Sequence, residues 1–74
     1  MKQYVVKQYV DFLDTNPTIS APMEFWEAEE LLSNWISETV DNIVQHSPYS
    51  ITDEDLEKIY ESESQLIQIE EVSQ

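Results

Sequence analysis

The 74-residue sequence contains no glycine, no cysteine and no arginine. Without glycine, the chain lacks the phosphate-binding loops, dinucleotide-binding turns, nucleophile elbows and EF-hand calcium loops that need positive φ angles or a close backbone approach. Without cysteine, it has neither disulfides nor thiolate metal ligands. These absences exclude the best-defined nucleotide-, calcium- and nucleophile-based motifs.

Histidine occurs once, at position 46, so no histidine cluster can bind zinc. His46 is expected at the end of a helix, where an imidazolium interacts favourably with the helix dipole. The acidic run at residues 53–55 lacks EF-hand spacing and is typical of the first turn of a capped helix. We therefore predict no metal, no cofactor and no catalytic residue, and a protein that is not an enzyme.

Basic residues are scarce as well. Sixteen Asp and Glu residues face three lysines, which gives a net charge of −13. Such a chain is not suited to bind nucleic acid or an anionic membrane directly, because both require basic residues that neutralise phosphates. The net charge also exceeds the magnitude of about 2 to 8 that suffices for solubility. The predicted partner is a protein with a basic surface.

Apolar residues are nevertheless abundant. They make up 41% of the chain and include two Trp and four Tyr, so we reject wholesale disorder. The length predicts one domain over residues 1–74, of marginal stability, which an apolar homodimer interface could increase. No apolar run fits a signal peptide or a membrane span, so a cytoplasmic protein is predicted. If a phage encodes the chain, the predicted compartment is the cytoplasm of the host cell.

The segment of residues 22–46 is predicted to form one long amphipathic helix on which the rest of the chain packs. Pro22 suits the first helical position, with Ser20 or Ala21 as the N-cap. At 100° per residue, the apolar side chains fall on one broad face. The residues assigned to this face are Phe25, Ala28, Leu32, Trp35, Ile36, Thr39, Val40 and Ile43.

The remaining segments carry weaker signals. Residues 2–13 fit both a strand and a helix, and their β-branched and aromatic content favours the strand. A turn at 14–17 and a short strand at 18–21 follow. A second helix is predicted from the N-cap Thr52 to about Glu63, with an approximate capping box at Asp55. Residues 65–72 alternate in polarity and predict a final strand.

These segments predict an α+β fold, a small single domain with the order β(β)ααβ. The long amphipathic helix would pack on a two- or three-stranded antiparallel sheet in which the last strand lies beside the first. The alternative is an all-α three-helix bundle, in which residues 2–13 and the C-terminal tail are helical.

The candidate binding surface consists of acidic rows on the two helices, spaced by three, four or eight residues. Neighbouring carboxylates at i,i+3 or i,i+4 have Cβ atoms about 5–6 Å apart, and ordinary solvated faces mix charges of both signs. Trp26 either serves as a binding anchor or completes the core. The predicted partner-binding residues are Glu27, Glu30, Glu38, Asp41, Glu54, Glu57, Glu61 and Trp26.

In size and acidity the chain resembles DNA-mimic inhibitors, which are typically small phage or mobile-element proteins. The expected function is therefore a non-enzymatic inhibitor of anti-restriction or anti-CRISPR type that blocks the basic groove of a nucleic-acid enzyme. The alternative is a small protein–protein interaction module or regulatory subunit. Such a module would bind through an apolar patch or an open sheet edge, and its acidity would serve solubility.

Overall fold

The computed structural model describes residues 2–72; the single domain predicted over residues 1–74 also includes Met1, Ser73 and Gln74, which lie outside the described residues. The chain forms a small α+β domain, as predicted, and the three-helix alternative is wrong. The elements in chain order are β1 (Gln3–Gln8), β2 (Thr18–Ile19), α1 (Phe25–Gln45), α2 (Asp53–Leu66) and β3 (Ile67–Val72).

The sheet is three-stranded and antiparallel, with β1 in the centre and the order β2-β1-β3. β3 pairs with the whole of β1, from Gln3 opposite Val72 to Gln8 opposite Ile67. The predicted position of the last strand beside the first is therefore confirmed. The short strand predicted at 18–21 forms as the two residues of β2, which pair with the end of β1.

The core lies between one face of the sheet and α1. Its fully buried centre consists of Val6, Ala28 and Ile67, one residue each from β1, α1 and β3. α1 contacts β1, β3 and α2, so the long helix is the element on which the others pack. The apolar side chains that surround this centre are Tyr4, Met23, Leu31, Leu32, Trp35, Ile36 and Ile69.

The N-terminus of α1 differs from the prediction. The helix begins at Phe25 with Glu24 as its N-cap, so the caps predicted at Ser20 or Ala21 are wrong. The segment before the helix stays extended because its residues form hydrogen bonds with β1. Met23 exchanges two backbone hydrogen bonds with Tyr4, at 2.8 and 2.9 Å, and the Ser20 hydroxyl accepts the N–H of Val6 at 2.8 Å.

The first strand is shorter than predicted. β1 ends at Gln8, and residues 10–13 form an exposed turn. The strand interpretation of residues 2–13 is right for the first half and wrong for the second. The apolar side chains of Val10 and Phe12, which alternation assigned to the strand, lie outside the sheet.

The second helix begins as predicted. Thr52 is the N-cap, and its hydroxyl accepts the Asp55 N–H at 3.2 Å while the Asp55 carboxylate accepts the Thr52 N–H at 3.4 Å. α2 continues to Leu66, beyond the predicted end at Glu63, and β3 begins at the next residue. Leu66 is buried. Its carbonyl accepts the N–H of Tyr9 at 2.8 Å, which ties the helix end to the residue just after β1.

The other helix end also agrees with its prediction. His46 is the C-cap of α1, and its Nδ1 lies 2.8 Å from the carbonyl oxygen of Asn42. No helix within residues 2–72 combines the length and the hydropathy that crossing a membrane would require.

Candidate partner-binding surface

The solvent-facing side of α1 carries a row of four carboxylates. Glu27, Glu30, Glu38 and Asp41 are all exposed, and the buried Ala28 and Val40 lie on other sides of the same helix. The 14 residue steps from the first carboxylate to the last correspond to about 21 Å along the helix axis. The helical period that assigned these residues to the outer face therefore placed them correctly.

The charge of the molecule is concentrated on its helices. Twelve of the sixteen acids lie on α1, its N-cap or α2, and Lys58 is the only lysine there. The helices thus account for −11 of the net −13. Lys58 forms no ion pair with any residue in the 2–72 range. The helical acids therefore remain almost uncompensated.

The other two lysines are engaged on the sheet. Lys7 Nζ lies 2.6 Å from Glu70 Oε2, and Lys2 Nζ lies 3.9 Å from Glu71 Oε1. The hydrogen bond from Glu70 raises the pKa of Lys7 above its usual value. Because each sheet lysine has its own carboxylate, the sheet is close to neutral while the helices are strongly negative.

Trp26 lies at the N-terminal end of the acidic row. It is 63% exposed, so the expectation that it completes the core is wrong. Its indole N–H donates a 2.8 Å hydrogen bond to the Glu24 carboxylate. The shallow depression around it is lined by Met23, Trp26, Glu27, Glu30, Leu31 and Asn34. Here the structure brings together three predicted site residues, one aromatic and two acidic.

Glu27 also has a local structural role. Its Oε1 accepts the backbone N–H of the N-cap Glu24 at 3.3 Å, so one oxygen of this carboxylate helps to satisfy the start of α1. The carboxylates of Glu30, Glu38 and Asp41 form no hydrogen bond or ion pair within residues 2–72. These three are therefore the acids of the row most available to a partner.

The predicted acids of α2 are exposed too, and two of them border a second depression. Glu57 and Glu61 line a groove of about 550 Å³, together with Ile36, Leu56, Tyr60 and Ser64. This groove shares no lining residue with the depression around Trp26. Five of the eight predicted site residues thus line one of two separate depressions, and Glu38, Asp41 and Glu54 line neither of them.

Sequence reasoning missed an apolar loop. Val10, Phe12 and Leu13 are 85%, 75% and 88% exposed, although all three are large and apolar. The signal that could have revealed the loop is the pair of aspartates at positions 11 and 14, since Asp readily accepts backbone hydrogen bonds in turns.

The two aspartates hold this loop by hydrogen bonds to the backbone. Asp14 Oδ2 accepts the N–H of Val10 at 2.9 Å, and its Oδ1 accepts that of Asn16 at 2.8 Å. Asp11 Oδ1 accepts the N–H of Leu13 at 2.8 Å. The bonds from Val10 and Asn16 lower the pKa of the Asp14 carboxyl. The loop is thus an ordered turn that presents apolar side chains to solvent.

Within residues 2–72, no polar or charged residue is buried, and no group of three or more His, Asp or Glu side chains is arranged to hold a metal ion. The surface offers charge and shape for recognition. Comparison with protein-family models, curated proteins and solved structures finds no match to this chain. Its function must therefore be inferred from its own surface.

Proposed function

We propose that this chain is a non-enzymatic acidic protein that mimics DNA and blocks the basic groove of a nucleic-acid enzyme. The observation that carries the proposal is the segregation of charge, which leaves −11 of the net −13 on two adjoining helices. An inhibitor of this kind, of the anti-restriction or anti-CRISPR type made by phages and mobile elements, would act in the cytoplasm of the host cell.

The mechanism is steric competition. Duplex DNA carries one negative charge per about 1.7 Å of its axis, and a groove that binds it is lined with Arg and Lys. The exposed carboxylates of α1, spread over about 21 Å, would pair with these cations. Charge-assisted hydrogen bonds from Arg to carboxylate are shorter and stronger than neutral ones. Trp26 would add apolar contact area that salt does not weaken.

The proposal is tested by displacement from DNA. A lysate of the cell that makes the protein, freed of nucleic acids and of the nuclease used to remove them, is loaded on immobilised duplex DNA. The column is eluted with the purified chain at low salt. We expect a small set of DNA-binding proteins to elute, which mass spectrometry then names. A variant that removes the α1 row should elute none of them. It carries Glu27→Gln, Glu30→Gln, Glu38→Gln and Asp41→Asn.

A matched control removes the same amount of charge elsewhere. It should elute the same proteins as the unmodified chain, because recognition depends on the position of the acids as well as on their number. Equal elution by the row variant and the unmodified chain, or no elution by the unmodified chain, contradicts the proposal. The control carries Glu29→Gln, Asp53→Asn, Glu63→Gln and Glu71→Gln.

A second candidate is an apolar interaction module, favoured by the exposure of ten large hydrophobic side chains among residues 2–72. Contiguous exposed apolar surface commonly marks a binding site. The partner of such a module would be retained at high salt and lost when Phe12 and Leu13 are replaced by serine. A DNA mimic would lose its partner at high salt and would keep it when Phe12 and Leu13 are replaced by serine. The two changes therefore distinguish the candidates.

A further inference from the structure

The groove between α1 and α2 combines an apolar floor with an acidic edge. Ile36 of α1 and Leu56 and Tyr60 of α2 form the floor, and Glu57 and Glu61 stand beside it. Tyr60 is 40% exposed, so the apolar floor is open to solvent on the monomer. The groove is thus an exposed apolar surface on the strongly negative helices.

The length of the groove matches the apolar stripe of a short helix. Leu56, Tyr60 and Ser64 follow one another at four-residue intervals, so they line about 12 Å of the groove along α2. An amphipathic helix with apolar anchors at i, i+4 and i+7 presents a stripe about 10.5 Å long. Binding of an amphipathic helix in a groove of this kind is a common mode of peptide recognition.

The charge of the groove determines which helix fits. Glu57 and Glu61 are four residues apart and lie on one side of α2, so they match two Lys or Arg residues at i and i+4 of the occupant. A second copy of this chain has no such segment. Two of its three lysines pair with Glu70 and Glu71 on the sheet, and Lys58 stands alone among the acids of α2.

We infer that the groove formed by Ile36, Leu56 and Tyr60 binds a basic amphipathic helix of the partner protein. The apolar side chains of that helix would fill the groove, and its Lys or Arg residues would pair with Glu57 and Glu61. This inference rests on the proposed function in one respect, the basic character of the partner. The inference adds that the surface of the partner that this chain blocks includes a helix, as in proteins that read DNA with a helix in the major groove.

The test uses three synthetic helical peptides of about 18 residues, or five turns. The first has Leu at i, i+4 and i+7 with flanking Lys residues. The second has the same composition in an order that destroys the stripe, and the third replaces each Lys by Glu. Each is titrated into the isotope-labelled protein, and NMR follows the chemical shifts. Saturable binding of the first peptide is expected, with the largest shift changes at Ile36, Leu56 and Tyr60.

Two pairs of variants identify the contacts. Glu57→Gln with Glu61→Gln should weaken the first peptide about tenfold or more, whereas Glu29→Gln with Glu71→Gln removes the same charge elsewhere and should change its affinity little. Tyr60→Ala should weaken it similarly. Tyr49→Ala, at a more exposed tyrosine of the loop between the helices, should not.

Three results would overturn the inference. They are equal binding of the permuted peptide, shift changes centred on the Trp26 depression, and no saturable binding of the first peptide up to about 1 mM. None of them depends on displacement of proteins from DNA. Failure of the displacement experiment with successful peptide binding would instead reject the DNA mimic and leave the helix-binding groove in place.

Discussion

Lys7 Nζ lies 2.6 Å from Glu70 Oε2, between two paired strands and on the face of the sheet turned away from the helices. Val6, the preceding residue, points into the core, so alternation along β1 directs Lys7 to the opposite side. The ion pair keeps Lys7, one of the three lysines of the chain, at the sheet. The negative charge of the helices is therefore left without a basic neighbour on β1.

Replacement of Lys7 should destabilise the protein, and more so at low salt. Lys7→Gln leaves the Glu70 carboxylate without its ion pair, and salt screens exposed charges. Because the folded-state pKa of Lys7 is raised, the stabilisation is fully present below the usual lysine pKa and is lost as the pH rises through the raised value. Urea unfolding at two salt concentrations measures the effect. A larger loss of stability at high salt than at low salt would contradict a stabilising role of the Lys7–Glu70 ion pair.

Truncation of Ile67 should have the largest effect on stability. This side chain is 2% exposed and belongs to the core centre. Ile67→Ala should lower the free energy of unfolding by about 3 kcal/mol, a large share of the total stability of about 5 kcal/mol for so small a domain. Ile19→Ala, at a half-exposed position of β2, should cost about 1 kcal/mol or less. Equal losses, measured by urea unfolding, would mean that the core lies elsewhere.

The elements with strong local signals were predicted from the sequence. The alternating β3, the long amphipathic α1 and the Thr52 cap each depend on residues close together in the chain. The predicted start of α1 was wrong because Met23 pairs with Tyr4, about twenty residues away. Local periodicity carries no information about such pairing, so propensity alone extended the helix to Pro22.

Asp14 should determine the order of the apolar loop. Asp14→Ala removes the acceptor for the N–H groups of both Val10 and Asn16, so both amides should exchange faster with solvent at neutral pH. Asp14→Asn retains one carbonyl oxygen and should give an intermediate rate. Hydrogen exchange followed by NMR measures this. Unchanged protection in Asp14→Ala would show that other contacts hold the loop.

Acid should loosen the same loop. The folded-state pKa of Asp14 lies below the ordinary value of about 3.9. Its stabilising contribution is therefore present above the ordinary value and is lost as the pH falls through the lowered one. Protection of the Val10 amide should persist at mildly acidic pH, down to the ordinary aspartate pKa, and be lost only at lower pH. Loss of protection well above the ordinary aspartate pKa would contradict the role of Asp14.

Removal of the α2 cap should weaken the second helix. The Thr52 hydroxyl accepts the N–H of Asp55 at 3.2 Å, and replacement of such a cap by alanine typically costs about 1 kcal/mol. Thr52→Ala should lower the free energy of unfolding by that amount. Thr15→Ala, in an exposed bend, should change it by less than about 0.5 kcal/mol. A Thr52→Ala loss no larger than that of Thr15→Ala would contradict the capping role.

The candidate surface was predictable only in part. The 100° period of α1 correctly assigned Glu30, Glu38 and Asp41 to solvent. The groove beside Glu57 could not be predicted, because it depends on how α1 and α2 lie against each other. The sequence left two roles open for Trp26, because a helical wheel gives the direction of a side chain and does not say whether a neighbouring element covers it.

The most direct test of DNA mimicry is the salt dependence of affinity for an enzyme displaced from the DNA column. Binding through carboxylates at Arg and Lys residues predicts an affinity that falls steeply between low and high salt, because screening weakens exposed charge pairs. It also predicts full competition with duplex DNA. An affinity that is constant over the same salt range, or a ternary complex of enzyme, DNA and this protein, would contradict DNA mimicry.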